Sequence, residues 1–291
     1  MARQLIRFVV AAGLVLAGRP ESAWAQVQDG ASPSGVRREV RGQAGASINN
    51  AGLQNTLDVS WTWPATRSHH PLLSGAHIAT GITNVLTPTQ AKLGGWIEYA
   101  PLSILDLRAG IDPSVYFGTF DSLMSYGSYD QPFDPDYRKA LGGAKAGVST
   151  RAYLSPTLKY KAGPIVASAG AEVEWWRSSA AGEFFYEPTR DTILKSSGDQ
   201  LITTTSVLMY QWTTGASSVS VGGLHTLARV SDAPGNNIQK LGVIAVKQFG
   251  SAHYGLPQPR LTLVVARYLD DPSKQRQWTA AIAVGFRKGR R

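Results

Sequence analysis

The sequence predicts an all-β protein, a transmembrane antiparallel up-and-down β-barrel of about twelve strands that follows a cleaved signal peptide. The prediction rests on segments in which apolar and polar residues alternate, on the lengths of the connections, and on the positions of the aromatic residues. Of the 291 residues, 17% are charged and 43% are hydrophobic, a balance that excludes a disordered chain. No run of about 18 apolar residues occurs, so a helical membrane protein is excluded as well.

The N-terminus has the parts of a secretory signal peptide. Arg3 and Arg7 precede an apolar run from Phe8 to Ala17, and Ala23 and Ala25 are small residues suited to cleavage after Ala25. The apolar run is too short for a membrane anchor. The sequence then predicts a flexible lead-in at 26–41, a single barrel domain at 42–286 and a basic tail at 287–291. Cysteine is absent, which excludes disulfides, thiolate metal sites and a cysteine nucleophile.

Four segments alternate apolar and polar residues most clearly: 57–63, 105–112, 148–161 and 165–175. Successive side chains of a strand point to opposite faces. Charges at every second position do not fit a compact core, so the polar face meets either bulk water or a wet barrel interior. Weaker candidates complete the set at about 42–48, 75–85, 91–100, 200–212, 218–230, 239–249, 260–269 and 277–286. In the later strands both faces are largely apolar, and the pattern does not separate inside from outside.

The connections differ in length between the two ends of the predicted sheet. Short turns are predicted at 101–103, 162–164 and 213–217, whereas long polar segments occupy 118–145 and 177–199. An outer-membrane barrel has short periplasmic turns and longer extracellular loops. If both termini are periplasmic, the number of strands must be even. The long loops then lie on the extracellular side. The remaining architecture that this pattern allows is a soluble periplasmic β-sandwich.

Aromatic residues mark both edges of the apolar face. One set is predicted at the periplasmic ends, namely Trp63, Tyr99, Tyr160 and Phe286, and another near the outer ends, Trp175 and Trp278. The last strand alternates through Trp278, Ala280, Ile282, Val284 and Phe286. This ensemble resembles the outer-membrane β-barrel proteins of Gram-negative bacteria over nearly the whole mature chain. The resemblance implies insertion by the barrel-assembly machinery into outer-membrane lipid and lipopolysaccharide, although the tail after Phe286 departs from the pattern of a terminal aromatic.

The search for catalytic chemistry predicts no enzyme. His77 and His225 are the candidates for a Ser/His site on the lipid face, and no known motif surrounds either of them. His69 and His70 are interpreted as part of a solvated turn. The glycine-rich segment 142–149 lacks the lysine of a phosphate loop. No cofactor is predicted.

The two long loops carry further candidates. Acidic residues at Asp121, Asp130, Asp134 and Asp136 could hold Ca²⁺ against lipopolysaccharide, but they do not follow the register of a calcium loop. An acidic and aromatic surface loop is therefore favoured, and no metal site is predicted. The aromatic segment 183–188 could fold back as a plug or form a contact surface.

The inward face supplies the functional prediction. It is predicted to carry Asp58, Glu98, Asp106, Arg108, Asp112, Arg151, Lys159, Lys161, Glu172 and Glu174. The segment of Lys159 and Lys161 is expected to form ion pairs with 165–174 across a tight turn. About eight strands make a filled barrel and about sixteen an open one, so twelve strands allow either.

Two functions follow from these alternatives. One is a passive, porin-like channel for small polar solutes, in which Arg151→Glu or Lys159→Glu shifts the ion selectivity. The other is a closed structural or surface-interaction barrel that presents its long loops, and a lipid-modifying enzyme comes after both. The net charge of +9 is dispersed along strands, so nucleic acid is excluded as a partner. The sequence does not predict an oligomeric state.

Overall fold

The computed structural model describes residues 35–49, 51–120, 122–233 and 235–290, without the side chains of Pro135 and Arg290. The predicted signal peptide lies outside these residues. The elements in chain order are β1 (Arg37–Ile48), β2 (Gly52–Pro64), β3 (His77–Leu86), β4 (Gln90–Leu102), β5 (Leu105–Phe117), β6 (Ser125–Tyr126), α1 (Pro135–Leu141), β7 (Ala146–Ala162), β8 (Ile165–Ser178), β9 (Phe184–Glu187), β10 (Thr192–Lys195), β11 (Asp199–Thr214), β12 (Ser217–Val230), β13 (Asn237–Gln248), β14 (Arg260–Asp270) and β15 (Trp278–Arg290).

Twelve strands of the described chain close into one antiparallel barrel, in the order β1-β15-β14-β13-β12-β11-β8-β7-β5-β4-β3-β2. Each of them overlaps a segment that the sequence predicts as a strand, so the predicted fold class is confirmed. The barrel closes between its first and last strands, where the pairing runs from Arg38 opposite Arg290 to Ile48 opposite Ala280. We call this pair of strands the seam. It includes residues that the sequence assigned to the lead-in and the tail, because β1 begins at Arg37 and β15 extends to Arg290.

The barrel has two different ends. The described chain begins and ends at one of them, the terminus end, and both long loops extend from the other, the loop end. The sequence predicted this placement of the long loops. The two ends differ less in connection length than predicted. Besides short turns, the terminus end carries two longer connections, at 65–76 and 249–259. The first of these is folded compactly, with Ala65 N donating to Ala76 O at 2.9 Å.

The two faces of the barrel wall differ as the alternation predicts. On β4, the outward Leu93 and Ile97 are 59% and 57% exposed, whereas the inward Lys92 and Glu98 are 8% and 2% exposed. A sheet with an apolar outer face and a polar inner face suits a barrel surrounded by lipid. The predicted aromatic residues also point outward, with exposed fractions that include 60% for Tyr160 and 63% for Trp278.

The two long loops fold together over the loop end. Residues 122–145 and 179–198, which we call the lid, contain a three-stranded sheet in the order β10-β9-β6 together with α1. The helix begins where the Asp134 carboxylate accepts from Asp136 N and Tyr137 N. Strands of two to four residues and a seven-residue helix are too short for a periodicity to appear, so the sequence did not predict them.

No helix of the described chain is long and apolar enough to cross a membrane.

Candidate functional site: the barrel lumen and its lid

One wall of the lumen is charged. The charged residues predicted to line the lumen all lie on the inward face of β2, β4, β5, β7 or β8. Most of them are buried and at most 9% exposed: Glu98, Asp106, Arg108, Asp112, Arg151, Lys159, Glu172 and Glu174. Asp58 is half-buried and Lys161 is exposed. We call the buried set the charged wall.

A first group of ion pairs lies on the charged wall toward the terminus end. Arg108 donates to Glu98 Oε2 from Nε at 2.8 Å and from Nη2 at 2.6 Å. His77 Nε2 lies 3.1 Å from the other Glu98 oxygen. The Arg108 guanidinium stacks 3.8 Å from the centre of the Trp96 ring. These contacts satisfy the buried charges and fill the space beside the wall.

Lys159 and Lys161 have partners other than those predicted. Lys159 Nζ lies 2.6 Å from Asp106 Oδ2 on β5, and Lys161 Nζ donates to Gln211 on β11 at 2.8 Å. The predicted pairing with β8 is wrong for these two residues because Lys159 faces Ser168 in the β7–β8 register. The acidic residues of β8, Glu172 and Glu174, lie farther along the strand and contact Arg151.

A second group of charges lies beneath the lid. Arg151 Nη1 lies 2.7 Å from Glu172 and 3.3 Å from Glu174, and its Nε donates to Asp112 at 3.1 Å. From the lid, Arg190 Nη2 lies 3.0 Å from Glu172 and 2.8 Å from Glu174. Two arginines therefore hold the same pair of glutamates, one from the wall and one from the lid. The predicted charges of β7 and β8 are brought together, and Arg190 is a site residue that the alternation could not reveal.

The lid is anchored on several sides of the barrel. Glu187 accepts from Tyr116 and from Gln90, the latter at 3.4 Å. Lys274, in the loop after β14, forms an ion pair with Asp191. The lid therefore spans the loop end from β4 and β5 to the loop that precedes β15.

The lid has its own apolar core. The buried residues of its two clusters include Phe133, Phe184, Phe185, Tyr186, Ile193 and Leu194, and they pack with Tyr116 and Trp176 of the barrel wall. Of the alternatives for segment 183–188, the structure has the one in which it folds back over the barrel. Its aromatic rings are buried and do not form an outer contact surface.

The opposite wall of the lumen is apolar. Its inward residues on β8 and β11–β14 are 1% to 8% exposed: Val166, Val207, Met209, Leu224, Ile244, Val246, Val264 and Ala266. This arrangement explains why the later strands showed two apolar faces. One of those faces meets lipid and the other packs inside the barrel. The lumen is thus filled by side chains beside this wall.

A third part of the lumen wall is more open. On β15, β1 and β2 most inward residues are small or neutral and half-buried: Gln43, Gly45, Ser47, Gln54, Thr56, Ala281 and Gly285, together with Asp58. We call this set the seam strip. The strip runs along the lumen, and among its inward positions Ala283 is buried at 3% exposure. Solvent reaches the other residues of the strip to a greater extent than it reaches the charged and apolar walls.

The histidines have separate environments. His77 points into the lumen, so it cannot serve a site on the lipid face. His225 points outward, in register with Ser206, and its Nε2 lies 2.9 Å from the Gln239 amide nitrogen. His69 and His70 lie in the exposed connection at 65–76. Among the described residues, no group of three or more His, Cys, Asp or Glu side chains is arranged to hold a metal ion.

The acidic residues of the first long loop are also separated in role. Asp134 caps α1, whereas Asp130 and Asp136 are exposed to solvent. Asp121 lies outside the described residues.

Two carboxyl groups, Asp191 of the lid and Asp271 of the loop after β14, lie near each other at the edge of the lid. Burial raises the pKa of the Asp271 carboxyl, and the nearby Asp191 carboxylate raises it further. Asp271 Oδ1 accepts from Ser273 N and Lys274 N at 2.8 and 2.7 Å, and Oδ2 has no hydrogen-bond partner among the described residues. A carboxyl whose pKa is raised in the folded state destabilises the fold fully at pH values above that pKa, and the penalty is lost as the pH falls from there toward the unfolded-state pKa.

We therefore expect Asp271→Asn to raise the melting temperature at pH 7, because the amide keeps the Oδ1 acceptor without the charge. The advantage over the wild type should shrink as the pH is lowered, because protonation of the wild-type carboxyl removes the buried charge. Thermal unfolding in detergent at several pH values measures this difference. Asp232→Asn, on an exposed neighbouring loop, is the control, and an equal effect of the two substitutions would contradict the assignment.

The closed antiparallel sheet, with an apolar outer face and a charged wall inside, defines an outer-membrane β-barrel. No protein-family model and no curated protein sequence matches the chain. Among solved structures, the chain is similar to the β domain of the Bordetella autotransporter BrkA, with a TM-score of 0.44 and 15% identity over 87% of this chain and 98% of that one. It is also similar to the NanC porin, with a TM-score of 0.44 and 9% identity over 87% and 100%. The translocator domain of the autotransporter NalP from Neisseria meningitidis has a TM-score of 0.43 and 10% identity over 92% and 93%.

Proposed function

We propose that this protein is a narrow outer-membrane channel for small polar solutes. The observation that carries the proposal is the seam strip, a half-exposed set of small or neutral side chains together with Asp58 along the lumen. Elsewhere the lumen is filled by the charged and apolar walls. Passage would therefore follow one side of the barrel, not its axis.

The composition of the strip supports passage of polar solutes. Gln43 on β1 faces Gly285 on β15 and Thr56 on β2, and Gly45 faces Ala283 and Gln54. Glycine and alanine leave space beside the strand, and the amide and hydroxyl groups offer hydrogen bonds to water or a solute. A channel conducts when its lining replaces hydration without holding the solute tightly.

The lid limits this passage at the loop end. Its hydrogen bonds and ion pairs fix it to the β4, β5 and β8 side and to the loops after β12 and β14. The expected wild-type conductance is therefore small. The buried aromatic core of the lid favours this closing role over display of the loops as a binding surface.

Placing a large side chain in the seam strip tests the proposal. Thr56→Trp places a large ring on the inward face of β2, and we expect it to lower the single-channel conductance in planar bilayers strongly. The matched control is Asn55→Trp, which places the same ring on the exposed outward face of the adjacent position. A wild-type barrel that assembles but never conducts, or two variants that conduct equally, would overturn the proposal.

The protein is also proposed to lack enzymatic activity. The hydrogen bond that the structure gives His225 goes to Gln239, and His77 is engaged with Glu98 inside the barrel. We expect no fatty-acid release when the purified barrel is incubated with phosphatidylcholine vesicles. Release that disappears in Ser206→Ala would contradict this proposal, because Ser206 is the hydroxyl in register with His225.

Export and insertion complete the proposal. The segment 1–25 would direct secretion, and the strand that ends in Phe286 would engage the barrel-assembly machinery. Outer-membrane lipid and lipopolysaccharide would then surround the apolar outer face. Fractionation of a Gram-negative host that expresses the full chain tests this localisation, and a heat-dependent shift on a gel tests assembly.

A further inference from the structure

We propose that Arg37, Arg41 and Arg287 form a binding site for oxyanions at the terminus end of the seam strip, and that this site makes the channel selective for small carboxylate-bearing or other oxyanionic solutes. The selectivity rests on the proposed channel function, whereas binding does not.

The seam brings the cations together. Arg41 on β1 lies directly opposite Arg287 on β15 in the strand register. Like charges in this relation repel each other. Glu39 offsets the repulsion, because it accepts from Arg41 and, at 2.7 Å, from Arg287 Nε. Arg37 Nη2 lies 3.8 Å from the same carboxylate.

The cluster places three guanidiniums around one buried carboxylate. Three guanidiniums surround Glu39, and Asp58 lies opposite Arg41 in the β1–β2 register. The Asp58 carboxylate also accepts from Thr83 Oγ1 at 2.6 Å and from Trp96 Nε1 at 3.2 Å. Guanidiniums offer planar forks of N–H donors, which suit carboxylate and phosphate oxygens.

The burial of these groups determines what a solute meets. The side chains of Arg37, Arg41 and Arg287 are 20%, 25% and 20% exposed, whereas that of Glu39 is 2% exposed. The carboxylate is thus more deeply buried than the guanidiniums, and the guanidiniums are the groups that a solute in the lumen would meet at this point. The charged wall differs, because Arg108 and Arg151 are buried against carboxylates and are closed to a passing solute.

Binding is tested without any requirement for conduction. The full chain in lipid-free detergent is titrated calorimetrically with citrate, a tricarboxylate probe. We expect wild-type binding that weakens about tenfold or more in Arg41→Gln and in Arg287→Gln, since each loses a charge-assisted contact. Glu39→Gln should bind more tightly. Arg38→Gln is the matched control, because it removes the same charge from the outward face of the same strand.

Selectivity is then measured from reversal potentials in planar bilayers under a KCl gradient. The wild type should prefer chloride, Arg41→Gln and Arg287→Gln should reduce that preference, and Arg287→Lys should keep it. Citrate binding without conduction would support the site and overturn the channel. Conduction with no citrate binding and no effect of the arginine substitutions would overturn the site and leave the channel standing. Citrate binding that is abolished when phospholipid is added back would support the site and identify lipid phosphate as the competing oxyanion.

Discussion

Reversing the charge of Arg190 will open the loop end of the barrel. In Arg190→Glu, a third carboxylate meets Glu172 and Glu174 in place of the cation that now lies 2.8 to 3.0 Å from them. Breaking a buried pair costs about 3–5 kcal/mol, because an uncompensated charge is left behind. That free energy shifts the equilibrium of lid docking by about a hundredfold or more. We expect the single-channel conductance to rise several-fold above the small wild-type value.

The experiment needs a control for charge reversal near the loop end. Arg177→Glu reverses an exposed outward charge on the same strand as Glu172 and Glu174, and it should leave the conductance unchanged. A second substitution that weakens docking of the lid is Lys274→Met, which removes the ion pair with Asp191 at the other edge of the lid. It should also raise the conductance. If protease cleaves the lid of the assembled Arg190→Glu barrel faster and the conductance stays at the wild-type value, the lid does not limit passage.

Arg151→Met will destabilise the barrel strongly and will not act as a selectivity change. Arg151 contacts Asp112, Glu172 and Glu174, and its removal leaves buried carboxylates short of a partner. We expect a loss of about 3–5 kcal/mol in the free energy of unfolding, measured by urea unfolding in detergent. From the sequence, Arg151→Glu and Lys159→Glu were expected to shift ion selectivity. In the structure both cations are buried in ion pairs and do not face the seam strip, so we now expect loss of stability instead.

The same strand offers the control. Lys161→Met also removes an inward cation of β7, but this side chain is exposed and bonds to Gln211, so we expect a loss of about 0–1 kcal/mol. A second substitution, Asp112→Asn, in the Arg151→Met background should recover part of the stability, because it removes one of the unpaired charges. Equal losses for Arg151→Met and Lys161→Met would contradict the buried network.

The barrel was predictable because alternation is a local property. Leu57, Val59, Trp61 and Trp63 define an outward face within a few residues, and the same period assigns Arg108 and Arg151 to the lumen. The partners of those arginines were not predictable, since they depend on the register between strands. Lys159 illustrates the difference: its face was predicted correctly, and its partner, Asp106, is on β5 instead of β8.

The lid could not be derived in the same way. Its strands are too short for a period, and Arg190 reaches Glu172 and Glu174 from a connection whose direction no local pattern fixes. The aromatic composition of 183–188 was the available signal, and it left plug and contact surface as alternatives. The oxyanion site required the closed seam, because its arginines come from opposite ends of the chain.

The seam also bears on how the barrel forms. Glu39 and Arg287 are separated by 248 residues, whereas hairpins such as β7–β8 and β11–β12 join neighbours across turns of two residues. Contacts between distant residues form late, since the loop entropy must be lost before they stabilise anything. The ion pair between Glu39 and Arg287 therefore exists only in molecules that have completed the cylinder. A partly assembled sheet lacks it, and the edges of its first and last strands, β1 and β15, are not yet paired with each other.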